Sequence, residues 1–305
     1  MSFFPPRWIL LLMGILAACS QTPPEVLVPD NQAPNYDGIS TLQIRNYVNR
    51  LYIDLLGREP LDVEMDRDVE VLRTASLSED ARRALVRSLQ TGLGTGTADT
   101  SYQNAFFHRW YELTKARMLE GVSDGEIMRR IGIYEQAAVK DSLLGDMVSY
   151  MLIQQEIEKL ENVLKVEQLW KQDSISLSDI YGRMLNNYFY DLINMNTFNF
   201  IRASYDNLFW RLPTQAEFDA AFPVIEYNQP AIVLGQSVSN KDDYIYALTH
   251  SLEFFEGMIH WAYRSLLSRE ARSEEVIQAL EDLLISQDFL NVQQQILVSD
   301  EYANF

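Results

Sequence analysis

The chain has 305 residues, 47% hydrophobic and 22% charged, with 25 Lys+Arg against 43 Asp+Glu for a net charge of −18. Those proportions exclude a wholly disordered chain, a collagen-like repeat and a polytopic membrane protein. The acidic surplus would repel phosphate, so no nucleic-acid partner is expected, and a single cysteine, Cys19, leaves no internal disulfide and no multi-thiolate metal site.

The chain opens with Arg7 and an apolar run from Trp8 to Ala18, eleven residues long, where a membrane-spanning helix needs ~20. That layout reads as a secretory signal over 1–18. It ends in Leu16-Ala17-Ala18-Cys19, which resembles a bacterial lipobox, and the resemblance implies lipidation of the Cys19 thiol. Two or more acyl chains anchor a protein stably where one does so only marginally. Ser20 follows where Asp retains many lipoproteins at the inner membrane, so the outer membrane is the expected location, either facing the periplasm or at the surface. Residues 19–39 carry Pro23, Pro24, Pro29 and Pro34 and read as a tether reaching roughly 60 Å if stretched. Removing 1–18 leaves 24 bases against 43 acids, a net −19, so the body is repelled by anionic lipid and depends on its anchor.

Residues 40–305 predict an all-α body, an irregular bundle or array of helical hairpins with an internal repeat, as one unit or as halves 40–172 and 177–305. No proline occurs between Leu61 and Leu212, which permits helices throughout. Capping boxes are expected at Ser40-x-x-Gln43, Ser76-x-x-Glu79, Ser123-x-x-Glu126 and Thr214-x-x-Glu217, and helix stops at Gly57, Gly92 and Gly121. The predicted helices are 41–56, 61–74, 78–91, 101–120, 124–144, 146–172, 177–194, 197–210, 214–225, 240–267, 273–286 and 289–298. A glycine-rich linker is expected at 92–100 and a packed loop at 227–240.

Self-similarity supplies a further clue. Residues 52–64 align without gaps on 263–275, sharing Tyr52/Tyr263, Leu55/Leu266, Leu56/Leu267, Arg58/Arg269, Glu59/Glu270 and Glu64/Glu275. A third copy aligns with a four-residue gap, matching Ile44-Arg45 and Leu51-Tyr52 to Ile201-Arg202 and Leu208-Phe209. The unit reads as a helical hairpin with a short polar corner. Leu51-Tyr52-Ile53-Asp54-Leu55-Leu56-Gly57-Arg58-Glu59-Pro60 resembles the "LY-x-DLLGR-x-P" corner of helical repeats in bacterial surface proteins. With Ser78 to Val86 and His108-Arg109-Trp110 it is equally similar to a planctomycete-type domain of unknown function found beside cytochromes. No activity follows from either resemblance, and with Cys19 alone no CxxCH haem attachment is possible.

Candidate chemistry is sparse. Asp62, Glu64, Asp66, Asp68 and Glu70 alternate, but Arg67 and Arg73 occupy the Gly and bidentate Glu positions of an EF-hand, so the run reads as a solvated acidic helix face. His250, Glu253 and His260 are weak metal candidates on one predicted helix; no HExxH or paired Glu-x-x-His accompanies them. The glycine-rich Gly92 to Thr97 lacks a P-loop lysine, and no GxSxG elbow is present. Glu158, Glu161, Lys159 and Lys165 read as exposed ion-pair faces. The stretch Asn186 to Phe200 is rich in aromatic and amide groups, which glycan-binding surfaces use; Tyr188, Tyr190, Asn194 and Phe198 are the candidates. The plainer reading is a core layer of Tyr181, Leu185, Tyr188 and Leu192.

No cofactor is expected. The favoured expectation is a non-enzymatic outer-membrane lipoprotein, held by Cys19 and acting as an interaction or scaffold module for an envelope protein. A surface glycan-binding lipoprotein associated with an outer-membrane transporter comes second, and a metal-dependent enzyme third.

Overall fold

Helix boundaries follow local capping chemistry closely. Ser40 and Gln43 satisfy each other's backbone amides at the start of α1 (Thr41–Leu56), and Thr214 and Glu217 do the same for α11 (Gln215–Tyr227). Ser123 caps α5 (Asp124–Leu144), and Gly57 and Gly92 end α1 and α3 (Glu79–Thr91) in the left-handed region. The computed structural model describes residues 38–92, 101–286 and 288–305. The 1–18 signal, Cys19, the tether up to residue 37 and residues 93–100 of the glycine-rich linker lie outside the described residues.

The remaining helices are α2 (Asp62–Thr74), α4 (Ser101–Met118), α6 (Met147–Leu164), α7 (Val166–Lys171), α8 (Leu177–Leu185), α9 (Tyr188–Asn194) and α10 (Thr197–Phe209). After α11 come strands β1 (Ala231–Val233) and β2 (Gln236–Val238), then α12 (Lys241–Thr249), α13 (Leu252–Leu267), α14 (Ser273–Ser286), α15 (Phe289–Leu297) and α16 (Asp300–Ala303). The fold is all-α, and Tyr36–Phe305 form one compact unit.

Several predicted boundaries change for identifiable reasons. The helix predicted over 177–194 breaks because Asn187, at φ −155°, leaves the helix and its side chain accepts the Phe189 and Tyr190 amides, opening α9. That over 240–267 breaks at His250, and Ser251 caps α13. The one over 146–172 turns at Lys165. Ser78, not Ser76, caps α3; Ser76 itself has positive φ. The predicted loop at 227–240 holds the antiparallel β1–β2 pair, turned by Leu234 and Gly235, both with positive φ. Residues 300–303 form a further short helix.

One corner recurs three times. Arg58 donates to both oxygens of Glu64 at 2.7 and 2.8 Å, Arg211 to Glu217 at 2.8 and 2.7 Å, and Arg269 to Glu275 at 2.8 and 2.8 Å. Each glutamate also accepts the backbone amide three residues before it, from Leu61, Thr214 and Arg272, at 2.7 Å. Each arginine also donates to the carbonyl of the next residue and lies over a tyrosine six residues earlier: Tyr52 at 5.3 Å, Tyr205 at 5.1 Å and Tyr263 at 5.1 Å. The third copy therefore needs no gap. Tyr52, Leu55, Leu56, Arg58, Pro60 and Glu64 correspond to Tyr205, Leu208, Phe209, Arg211, Pro213 and Glu217. The four-residue gap inferred from Leu208-Phe209 is incorrect.

The next helix but one closes each corner through the second residue of its first turn. In α4 this is Tyr102, whose hydroxyl donates to Glu64 at 2.7 Å. In α13 it is Glu253, which accepts from Arg211, and in α16 it is Glu301, which accepts from Arg269 at 2.6 and 2.7 Å. The repeat is thus longer than its corner: two helices, a connecting helix, and the start of a fourth. α16 begins such a helix and docks beside α1, with Tyr302 donating to Asp54 at 2.8 Å and Tyr47 donating to the Leu297 carbonyl at 3.0 Å. Between α4 and α5 a buried Lys115 does the same work, bonded to Asp124 at 2.5 Å beneath the Tyr111 ring.

The alternating acids of α2 are not a uniformly solvated face. Asp62, Asp66 and Glu70 are exposed, but Glu64 is buried in the corner and Asp68 accepts from the Tyr52 hydroxyl at 2.8 Å and from Arg67 at 2.7 Å. Of the apolar stripe beside them, Met65, Val69 and Leu72 are buried while Leu61 is exposed.

Burial opposes ionisation of Glu64, but hydrogen bonds from Arg58, Tyr102 and the Leu61 amide outweigh it and hold the carboxyl down at about 2. The Arg211 hydrogen bonds bring Glu217 to about 2 against its burial, and those of Arg269 hold Glu275 well below the usual carboxylate range. Carboxyls depressed in the folded state stabilise it fully above an unfolded value of 4.5 and lose that contribution as pH falls toward 2. Thermal denaturation is expected to show Tm falling between pH 4.5 and 2, and Glu217→Gln to cost about 2 kcal/mol at neutral pH with a shallower acid slope. A second test concerns the crossing of α13 with α10: a Cβ on Gly257 would lie 2.2 Å from the Leu208 carbonyl oxygen, whereas one on Gly182 meets nothing closer than 4.0 Å. Gly257→Ala should therefore destabilise by about 3 kcal/mol or more, and Gly182→Ala, in α8, should be neutral or stabilising.

Candidate functional site

The metal candidates are occupied separately. His250 stacks on the Tyr246 ring at 3.8 Å with its Nδ1 3.0 Å from the Tyr246 carbonyl. Glu253 has both oxygens on Arg211. His260 is half-buried with Nδ1 3.3 Å from Glu270 but without a hydrogen bond, and His108 is exposed, 2.9 Å from Glu167. The break at His250 removes the common helix face on which the first three were expected. Among the described residues no group of three or more His, Cys, Asp or Glu side chains is placed to hold a metal ion.

The Asn/aromatic segment divides. Tyr190 is fully buried, its hydroxyl accepting from Asn207 at 3.1 Å, and Asn194 is buried with its amide on the Tyr190 carbonyl. Asn187 and Asn196 cap α9 and α10, so their amides are engaged with backbone. Tyr188 is half-buried under the Arg130 guanidinium, 3.6 Å from its ring centre, while Phe198 is half-exposed against Phe218 and Arg202. The alternative core stripe is also cut by the helix break: Tyr181 and Leu185 are buried, but Leu192 is exposed. The four residues therefore do not share one face.

A cluster of exposed apolar residues lies on the α5–α6 hairpin. These helices turn tightly at Gly145, in the left-handed region, and Asp146, whose carboxylate accepts the Ser149 amide at 3.0 Å. An α5 of 21 residues is roughly 30 Å long. Ile127 and Ala138 are its buried residues, and from Val139 to Glu156 no residue is buried. Around the turn Val139, Leu143 (83% exposed), Leu144 (71%), Met147, Val148 (71%), Met151 and Leu152 are all more than half exposed. Together they present apolar surface on the order of several hundred Å², the size that marks an interaction site. The hairpin's own charges are eight acids and four bases over 124–164, a net −4.

The helix predicted over 124–144 matches α5, but the apolar tip it leads to carries no motif that singles it out. The available signal is apolar pairs at i, i+4 spacing, 139/143 on α5 and 147/151 and 148/152 on α6, more than one buried face of a two-helix hairpin consumes. Among the described residues no helix is long and apolar enough to cross a membrane. No protein-family model, curated protein or solved structure matches the chain.

Proposed function

We propose that the protein is a lipoprotein, anchored in the outer membrane through Cys19, that acts without catalysis as a docking module for another envelope protein. The observation that carries this reading is the apolar tip of the α5–α6 hairpin. A hairpin whose distal half buries no side chain contributes little to the stability of its own chain, so its exposed leucines and methionines are surface available to a partner. Charge selects among occupants. A chain of net charge −18 with a hairpin of net −4 repels a second copy of itself and repels anionic lipid. The partner that fits is a protein with an apolar groove rimmed by basic residues. The lipid at Cys19 and the tether of 19–39 would keep the module near such a partner and raise its effective concentration.

The test places a photo-crosslinking amino acid at position 148 of the full-length protein in its own cells. The expected result is an adduct with one envelope protein, lost in the Leu143→Ser/Leu144→Ser variant while the Tm of the body is unchanged. Cross-linking only to lipid or to a second copy, or an adduct indifferent to the two serines, would overturn the docking site. Cys19→Ser is expected to release the protein from the membrane fraction; full retention would overturn the anchor.

A further inference from the structure

A part-enclosed cavity of about 270 Å³ lies where α1, α4, α13 and α15 meet. Its walls are mixed, with the aromatic Phe106, Trp110 and Trp261 set beside the polar Asp54, Arg109 and Gln293. The Arg109 Nε is buried without a hydrogen-bond partner, and the guanidinium acts on the Asp54 carboxylate only through space. The adjacent Trp110 is 2% exposed, and its indole Nε1–H is likewise buried and unpartnered. Two neighbouring residues of the cavity wall thus carry buried donors without partners, a departure from the rule that buried polar groups are paired, although Asp54 and Gln293 share that wall.

The fold spends a glycine on this arrangement. All three corners place a left-handed residue before the arginine: Gly57, Trp210 and Ser268. Trp210 and Ser268 demonstrate that the corner accommodates a side chain there. Gly57 differs because the stem of Arg109 lies across it; a Cβ at residue 57 would stand 3.1 Å from Arg109 Cδ. Asp54, one turn earlier on α1, is already engaged by Tyr302 at 2.8 Å and stands 3.7 Å from Arg50. Arg109 is therefore held on the cavity beside Asp54, with its Nε–H lacking an acceptor.

We infer that this cavity binds a small organic carboxylate with an apolar body. The Arg109 guanidinium supplies donors suited to a carboxylate, the aromatic walls bury the remainder, and the Trp110 indole lies on the wall as a reporter. An apolar cavity of ~150 Å³ accepts benzene, so about 270 Å³ admits a ring or branched chain together with its carboxylate. Asp54 on the same wall opposes negative charge, so the site suits at most one carboxylate, placed on the Arg109 side. This site is independent of the hairpin and of the anchor.

The experiment is a titration of the full-length protein, followed by the ¹⁵N–¹H indole resonances, with phenylacetate, 4-methylpentanoate, phenylacetamide and inorganic phosphate. At least one of the two apolar acids is expected to bind with Kd below about 1 mM and to shift the Trp110 Nε1–H resonance, assigned with Trp110→Phe. Phenylacetamide and phosphate should bind on the order of tenfold more weakly or not at all, and Arg109→Gln should weaken the acid ~10–100-fold. If Arg109→Gln lowers Tm, Arg109→Lys, which keeps the charge but not the planar fork, supplies the comparison, with weakening again expected. No shift with either acid at about 10-fold the expected Kd means that the cavity holds water only and overturns the proposal. Equal binding of amide and acid, or affinity unchanged in both Arg109 variants, also overturns it.

Discussion

The architecture depends on a planar guanidinium gripping a carboxylate across a six-residue corner. Arg and Glu are matched in geometry: two parallel N–H···O bonds fix both the distance and the plane of the pair. The glutamate sits in the first turn of its helix, where it also accepts the capping amide and meets the positive end of the helix dipole. One carboxylate thus closes a helix start, a loop and a helix end together. The tyrosine beneath the arginine supplies an apolar floor, which limits solvent access to the pair. The same group of contacts appears at 52–64, 205–217 and 263–275, so three hairpins share one corner.

The corner also imposes order at longer range. Each corner offers a further acceptor or donor position, and the helix two elements later fills it from its second residue, using Tyr102, Glu253 or Glu301. That link sets the spacing from one hairpin to the next and brings the short C-terminal helix beside α1. Exposed ion pairs contribute little individually, but these are part-buried, bidentate and joined to backbone amides, which places them among the stronger kind. The α5–α6 hairpin stands outside this scheme. Its turn is capped by glycine and aspartate, without an arginine corner, and its far half is held mainly by contacts between its own two helices. Rigidity in the array and exposure at the hairpin are therefore consequences of where the corners are and are not.

Capping residues locate most helix ends in the sequence, because an N-cap serine or threonine and a left-handed glycine are local requirements. Two corners are visible as a gapless match. The third is easily misplaced because Leu208-Phe209 imitates Leu51-Tyr52; the invariant spacing is the six residues from Tyr to Arg and from Arg to Glu, a polar signal rather than an apolar one. Glu64 and Asp68 read as solvated because acids on an amphipathic helix usually are, and Arg58 and Tyr52, which draw them inward, lie off that helix even though Arg67, also bonded to Asp68, lies on it. The breaks at Asn187 and Ser251 are hidden by apolar periodicity that continues through them. The cavity is beyond the reach of sequence, since Asp54, Arg109, Trp261 and Gln293 come from four helices spread over about 240 residues.

The arginine corners form the most cooperative part of the molecule, and the distal α5–α6 hairpin opens independently of them. Native-state hydrogen exchange measures this directly. The amides of Leu61, Thr214 and Arg272, which donate to the three corner glutamates, are predicted to exchange only through global unfolding. Amides from 139 to 156 are predicted to exchange through local opening, with protection lower by several kcal/mol. Uniform protection across both sets, or corner amides that exchange faster than the hairpin tip, would contradict the account.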